Sequence, residues 1–427
     1  MVKRKKDESQ QESLEELPSQ PVLNIGMVGH VDHGKTTLLE RLSGKWADTH
    51  SEELKRGITI RLGYADVTFK KCDKCEGAKA YTTKDVCAIC NSKTRPIRKI
   101  SFVDAPGHES LMATMLAGAT IMDGALLLIA TDEECPQPQT REHLMALQII
   151  GVKHVIVVQN KVDLASEEQT VKNYEQIKEF LKGTDFENAP IIPISAQHRT
   201  GLDFLMQAID EYIPIPARDK NKDPIMLVAR SFDINKPGIA INKLVGGVLG
   251  GSLKQGILKV DDTIEIRPGR SATEKNQVVW KPLTTKITSL SAGSQNPGSV
   301  EPGGSIGILT DLDPSIVKSD QLTGSLVGLP GKLPKTWSDL TLNVHLMQRV
   351  VGTKEEINVE PVKIGESLML NVNSAATVGV VAELKKNKIR CKLKLPVCAD
   401  IGSRVTLSRK MGNRFRLIGY GEIQDSK

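Results

Sequence analysis

The run Gly29-His30-Val31-Asp32-His33-Gly34-Lys35-Thr36 follows an apolar, strand-like stretch, Val22 to Val28, and precedes a helix-like one, Thr36 to Leu42. It fits the pattern G-x-x-x-x-G-K-[ST], which requires a loop between strand and helix. Two glycines let successive backbone N–H groups turn inward, and the helix N-terminus adds a favourable field for phosphate. Lys35 is placed to reach terminal phosphates, and the Thr36 hydroxyl to face Mg²⁺, a hard cation held mostly by phosphate and water. The stretch therefore predicts a nucleoside triphosphate site.

The following sequence has the rhythm of a parallel, doubly wound α/β sheet, with predicted strands at 23–28, 100–104, 125–130, 154–160 and 191–195. In such sheets, ligands lie beyond the carboxyl ends of strands. After the second run comes Asp104-Ala105-Pro106-Gly107-His108, where the carboxylate can hold Mg²⁺ through water and Gly107 can offer its N–H to a γ-phosphate. After the fourth comes Asn160-Lys161-Val162-Asp163. Its Asp163 carboxylate can accept from N1–H and the 2-amino group of guanine, a donor pair that adenine lacks. After the fifth, Ser195-Ala196 can supply a backbone N–H to the guanine carbonyl oxygen. Each motif alone also fits an ordinary turn, but four in this order predict a GTP site.

Between these elements stand Cys72-x-x-Cys75 and Cys87-x-x-Cys90, a spacing suited to tetrahedral Zn²⁺. Four sulfurs close the coordination shell, so the expected ion is structural. The seven cysteines are odd in number and no apolar h-region follows the basic N-terminus, which together point to a reducing cytoplasm. The longest apolar run considered, Gly124 to Ala130, is far short of the ~20 residues of a membrane span. No membrane association is expected.

In this order, residues 29–38, 56–60, 104–108, 160–163 and 194–196 resemble a translational GTPase. The resemblance gives Thr59 the role of first-switch threonine, closing on Mg²⁺ when GTP is bound. It makes Gly107 the γ-phosphate sensor and His108 the group that orients the attacking water, with Val31 and Ile58 as an apolar gate before it. Lys35, Thr59, Gly107 and His108 thus form the implied catalytic set. The implied GTP contacts are Asp32, His33, Gly34, Lys35, Thr36, Thr37, Asn160, Lys161, Asp163, Ser195, Ala196 and Gln197. Thr36, Thr59 and Asp104 would serve Mg²⁺, with Asp32 and the Gly57 carbonyl implied for a second ion.

The cysteine insertion narrows the likeness, since elongation factor Tu lacks it. Together with residues 62–66, 136–143 and 230–238, it resembles the gamma subunit of archaeal and eukaryotic translation initiation factor two. The short chain and the Asp32 form of the phosphate loop are similar to the archaeal branch. This resemblance implies a GTP-dependent carrier of methionylated initiator tRNA to the small ribosomal subunit, acting with alpha and beta subunits as a heterotrimer. GTP hydrolysis would release the tRNA, giving GDP and phosphate. Two rival readings share these motifs: an elongation-type carrier of another aminoacyl-tRNA, and a GTP-binding assembly subunit that does not hydrolyse.

At 427 residues the chain is too long for one core. Residues 1–20 carry Lys3, Arg4, Lys5 and Lys6 and then polar residues, and are expected to be a disordered tail. The GTP-binding domain is expected over 21–217, with the zinc knuckle at 72–90, then one β-barrel over 218–333 and another over 334–427. The glycines between Gly246 and Gly251 admit either close approach of an RNA end or tight barrel corners. Residues 268–282 are polar and read as a long loop. The net charge of +6 is uneven, with eleven Lys or Arg against one acid from Lys385 to Arg416. Lys388, Arg390, Lys392 and Lys394 alternate with apolar residues, giving one cationic strand face that suits either a phosphate backbone or plain water.

Overall fold

The computed structural model describes residues 20–44, 62–106, 111–236, 238–275, 277–293, 295–350, 357–412 and 414–425. Among them, seven strands form one sheet in the order β3-β2-β4-β1-β5-β6-β7. The strands are β1 (Leu23–Gly29), β2 (Gly63–Lys71), β3 (Tyr81–Thr82), β4 (Arg95–Asp104), β5 (Gly124–Ala130), β6 (His154–Asn160) and β7 (Ile191–Pro193). The run from β4 through β1, β5 and β6 to β7 is parallel, as the alternation with helices requires. At one edge the sheet adds antiparallel strands. There β2 pairs antiparallel with both β4 and β3, because the cysteine-bearing segment turns the chain straight back instead of crossing over a helix.

Helices cover both faces: α1 (Lys35–Ser43), α2 (Met112–Ala119), α3 (Pro138–Ile150), α4 (Glu167–Leu181) and α5 (Leu202–Tyr212). Strands β1 and β5 are buried along their full length, which is why they read as unbroken apolar runs. Leu126 and Leu128 enter the core beneath α1 and α5, while Leu127 and Ile129 enter the one beneath α2 and α3. Helix α1 buries Leu38, Leu39 and Leu42 and stops at Gly44, which is left-handed and returns its N–H to Glu40.

The remaining strands make two closed barrels. The first takes β8 (Ile225–Phe232), β9 (Val248–Gln255), β11 (Thr263–Glu274), β12 (Gln277–Ser291), β14 (Ser305–Thr310) and β15 (Leu326–Gly328), with β10 (Leu258–Lys259) and β13 (Ser299–Val300) paired beside it. The second takes β16 (Thr336–Leu346), β17 (Ser367–Val372), β18 (Ala375–Lys385), β19 (Lys388–Cys398), β20 (Arg404–Met411) and β21 (Arg414–Gln424). Alternation sets their packing. In β8, Met226 and Val228 line the barrel interior, while Leu227 and Ala229 join the core beneath α2 and α3. Leu417 of β21 reaches the same core, so both barrels share one apolar layer with the sheet domain.

Residues 268–282 are not a long loop. They are most of a β11–β12 hairpin in which Arg270 pairs with Lys281, Ser271 with Trp280 and Ala272 with Val279. Its apolar residues, Val278 and Val279, are exposed and add nothing to the barrel core, so backbone pairing holds the ribbon and no buried strand pattern shows in the sequence. The barrel requires glycine at two of the positions in 246–251: a Cβ at Gly246 would stand 1.9 Å from the Thr310 carbonyl oxygen, and one at Gly251 would stand 1.8 Å from that of Leu227. On β19, Lys388, Arg390, Lys392 and Lys394 are exposed and Ile389 and Cys391 buried. Arg390 meets Glu383 at 2.9 Å and Asp339 at 3.6 Å, so that face also carries acids.

Candidate active site

The loop after β1 stands beside the ends of β4 and β5, with Met27 level with Asp104 and Gly29 level with Leu128. Gly34 caps α1 in the left-handed conformation (φ 88°), and a Cβ there would fall 2.3 Å from the Asn160 amide nitrogen. Only glycine fits this turn. The following Lys35 is buried, and its Nζ donates to the carbonyls of Gly29 (3.0 Å) and His30 (2.6 Å). Burial pulls its pKa down, while Asp104 and Asp32 counter that pull. An arriving polyphosphate would offer the ammonium a stronger partner than two carbonyls.

Thr36 and Asp104 come together, the Thr36 Oγ1 donating to Asp104 Oδ2 at 2.9 Å, with Asp104 fully buried at the end of β4. A hydroxyl and a carboxylate side by side at the start of a helix are hard oxygen donors of the kind that Mg²⁺ takes. Asp32 lies in the loop with φ 63°, and Thr37 follows within α1.

The base-reading motifs converge on Asn160. Its Nδ2 donates to the His33 carbonyl at 2.9 Å and its Oδ1 accepts the Ala196 N–H at 3.0 Å, tying the phosphate loop, the end of β6 and the loop after β7 together. Lys161 is left-handed and reaches Asp132 at 3.2 Å. Asp163 lies in a single 3₁₀ turn, 162–164, with His198 Nε2 at 3.5 Å. Ser195 Oγ accepts the His198 N–H, and Gln197 accepts from Arg41. Gly57, Ile58, Thr59, Gly107 and His108, expected to complete the site, lie outside the described residues.

Of the histidines around the loop, His33 is expected from the resemblance as a GTP contact, whereas His30 and His143 carry no motif signal of their own. His143 of α3 is buried, and its Nδ1 accepts the Gly29 N–H at 2.9 Å. His33 places Nδ1 at 2.9 Å from the Leu128 carbonyl and Nε2 at 3.2 Å from Glu133. Burial lowers the pKa of His30, His33 and His143, and that of His143 falls to about 3. Positive charge at the loop therefore comes from Lys35. Nothing local in the sequence signals the His143 contact, which spans 114 positions.

The four cysteines also meet. Cys72, Cys75, Cys87 and Cys90 place their sulfurs within 4.8 Å of one another, with separations of 3.4 Å between Cys72 and Cys90 and 3.7 Å from Cys75 to both Cys87 and Cys90. Four thiolates at Zn–S distances of about 2.3 Å around one ion would stand roughly 3.8 Å apart, so the cluster fits Zn²⁺. Backbone N–H groups of Cys90 and Ile89 aim at the Cys87 sulfur, and the Ser92 hydroxyl and N–H bring the Cys90 thiol down to about 6, while burial pushes the Cys75 thiol up to about 12. Beside the knuckle, the Tyr81 hydroxyl donates to Asp210 of α5 at 3.1 Å.

Residues 20–215 match the family model of the elongation factor Tu GTP binding domain, and residues 338–423 that of initiation factor eIF2 gamma, C terminal. The chain is 59% identical over 405 residues to translation initiation factor 2 subunit gamma of Methanococcus vannielii, covering 95% of this chain and 99% of that protein. It is 58% identical over 406 residues to the protein of the same name from Pyrococcus furiosus, covering 95% and 98%. Among solved structures, it is similar to bacterial selenocysteine-specific elongation factor (TM-score 0.71, 23% identity, 94% of this chain and 58% of that one). It is also similar to elongation factor SelB of Methanococcus maripaludis in complex with a GTP analogue (TM-score 0.69, 22% identity, 96% and 80%). At these identities the structures speak for the fold alone.

Proposed function

The chain belongs to the family of translation initiation factor 2 gamma subunits, and on that premise we propose that it carries methionylated initiator tRNA to the small ribosomal subunit in a GTP-dependent manner. It does so in the cytoplasm with alpha and beta subunits. Hydrolysis of GTP to GDP and phosphate releases the tRNA. The domain limits belonging to this reading are 21–217, 218–333 and 334–427.

The observation that carries the nucleotide part is the double hydrogen bond of Asn160 to His33 and Ala196, which makes phosphate and base recognition one rigid unit. Lys35 turns from the loop carbonyls to the phosphates. Asp163 accepts from the guanine edge, and the loop at Ser195, Ala196 and Gln197 closes over its carbonyl oxygen. Thr36 and Asp104 would hold Mg²⁺, which supplies charge neutralisation at the phosphates when bound. Water attacks the γ-phosphorus in line as the bond to the β–γ bridging oxygen breaks, and His108 orients that water. Thr59 and Gly107 register the γ-phosphate and change the tRNA surface when it leaves. Cys72, Cys75, Cys87 and Cys90 hold a structural zinc.

Affinity capture of the tagged chain with identification of what it retains tests the assembly part: alpha and beta subunits are expected, and their consistent absence would overturn it. Single-turnover hydrolysis on assembled ribosomal complexes tests the chemistry. His108→Ala should abolish it, and an unchanged rate would remove His108 from the role.

A further inference from the structure

Neighbouring positions on a helix point about 100° apart, so one helix can hold two partners on different sides. Helix α3 does this with Glu142 and His143, which are 0% and 1% exposed. His143 Nδ1 accepts the N–H of Gly29, the first glycine of the phosphate loop. Glu142 Oε1 accepts from Arg416 Nη1 at 2.8 Å, a buried pair across to β21 of the second barrel. About two turns further, the Ile149 carbonyl accepts from Arg404 of β20 at 3.1 Å, so the barrel grips the end of α3 as well.

Gly29 is thus fixed at both its polar atoms, its N–H by His143 and its carbonyl by Lys35. Nucleotide binding asks Lys35 to leave that carbonyl, after which His143 is the side chain still holding the peptide. From this geometry we infer that His143 is a positioning residue of the phosphate loop and that the Glu142–Arg416 pair sets its place. The seating of the second barrel thereby controls how long nucleotide stays bound. The inference rests on the nucleotide reading above. His143 touches no reacting atom and works through Gly29.

The neutral imidazole matters as an acceptor. Asparagine can present an oxygen close to the Nδ1 position, while leucine fills similar space with none. Losing the acceptor leaves a buried N–H unpaired, a cost that corresponds to about a tenfold change in an equilibrium or rate.

The experiment is stopped-flow release of a fluorescent GDP analogue from the full chain, in wild type, His143→Asn, His143→Leu, Arg416→Met and the double variant His143→Leu/Arg416→Met. Release about tenfold faster in His143→Leu, with His143→Asn near wild type, is the expected result. Arg416→Met should speed release in wild type and add little once His143 is leucine. Wild-type rates in His143→Leu, or equal acceleration by Asn and Leu, would overturn the positioning role. Independent, multiplying effects of the two sites would overturn the link to the barrel. Should Arg416→Met fail to fold by circular dichroism, Arg416→Lys, which keeps the charge but moves it, carries the same comparison. Failure of wild type to bind the analogue at all would instead overturn the nucleotide reading.

Discussion

The side-chain amide of Asn160 donates to the backbone carbonyl of His33 at 2.9 Å, joining the end of β6 to the phosphate loop across 127 positions of sequence. Asn160 is 2% exposed and accepts from Ala196 on its other atom. Asn160→Ala strands a buried carbonyl and a buried N–H, costing about 1–3 kcal/mol for each group left unsatisfied. Fluorescent GDP titration should show at least a tenfold loss of affinity, and thermal melting a lowered Tm. Unchanged binding would mean that the two loops are not coupled through this side chain.

On the proposed function, the Asp163 carboxylate selects guanine over other purines. Replacing its carboxylate by an amide in Asp163→Asn turns an acceptor into a donor facing the 2-amino group of guanine. Affinity for GDP should fall by a factor of about 10² or more, as expected when a site built for one hydrogen-bond pattern meets another. Xanthosine diphosphate, which carries a carbonyl at that position, should bind better than GDP. A preference for GDP retained in the competition assay would place base recognition elsewhere.

The cysteine cluster lies at the Arg95 end of β4 and Asp104 at the other, about 30 Å away for a strand of this length. Purified protein should contain one zinc per chain by plasma mass spectrometry. Cys75→Ser should lose it and lower the Tm while leaving GDP affinity close to wild type. A Cys75→Ser protein that keeps both its zinc and its Tm would rule out the closed four-sulfur site.

His143 links stability to pH. Burial holds its pKa near 3 in the folded chain, against 6.5 for the free side chain. Below pH 6.5 the unfolded chain takes up a proton that the folded one refuses, so this contribution is fully present above pH 6.5 and is lost as pH falls toward 3. The slope approaches about 1.4 kcal/mol per pH unit. His30 and His33, also lowered by burial, act in the same direction. Urea unfolding at pH 5 and pH 7 should show a smaller difference for His143→Asn than for wild type; equal differences would contradict a buried, neutral His143.

Much of the sheet domain was legible because its central strands are buried on both faces. Val155, Ile156, Val157 and Val158 can be read as a strand without knowing what covers them. The motif residues at strand ends were legible for a related reason: Lys35, Asp104 and Asn160 owe their positions to the local strand and turn. What escaped reading depends on contacts far apart in sequence or on backbone pairing. The β11–β12 ribbon leaves its apolar residues, Val278 and Val279, exposed rather than in the barrel core, and β2 reads as a strand only once its antiparallel partner β4 is known. His143 and Gly29, or Glu142 and Arg416, are brought together by how layers stack, and no spacing rule links them. The exposed cations of β19 kept two readings open, because alternation dictates that such residues point outward whether or not a partner waits there.

The most direct test of the central claim is a filter-binding titration of the chain, assembled with its alpha and beta subunits, against methionylated initiator tRNA and methionylated elongator tRNA, each with GTP and with GDP. The account predicts tight binding of the initiator species with GTP, with weaker binding after exchange to GDP or to elongator tRNA. Equal affinity for the two tRNAs, or affinity indifferent to the nucleotide, would contradict it.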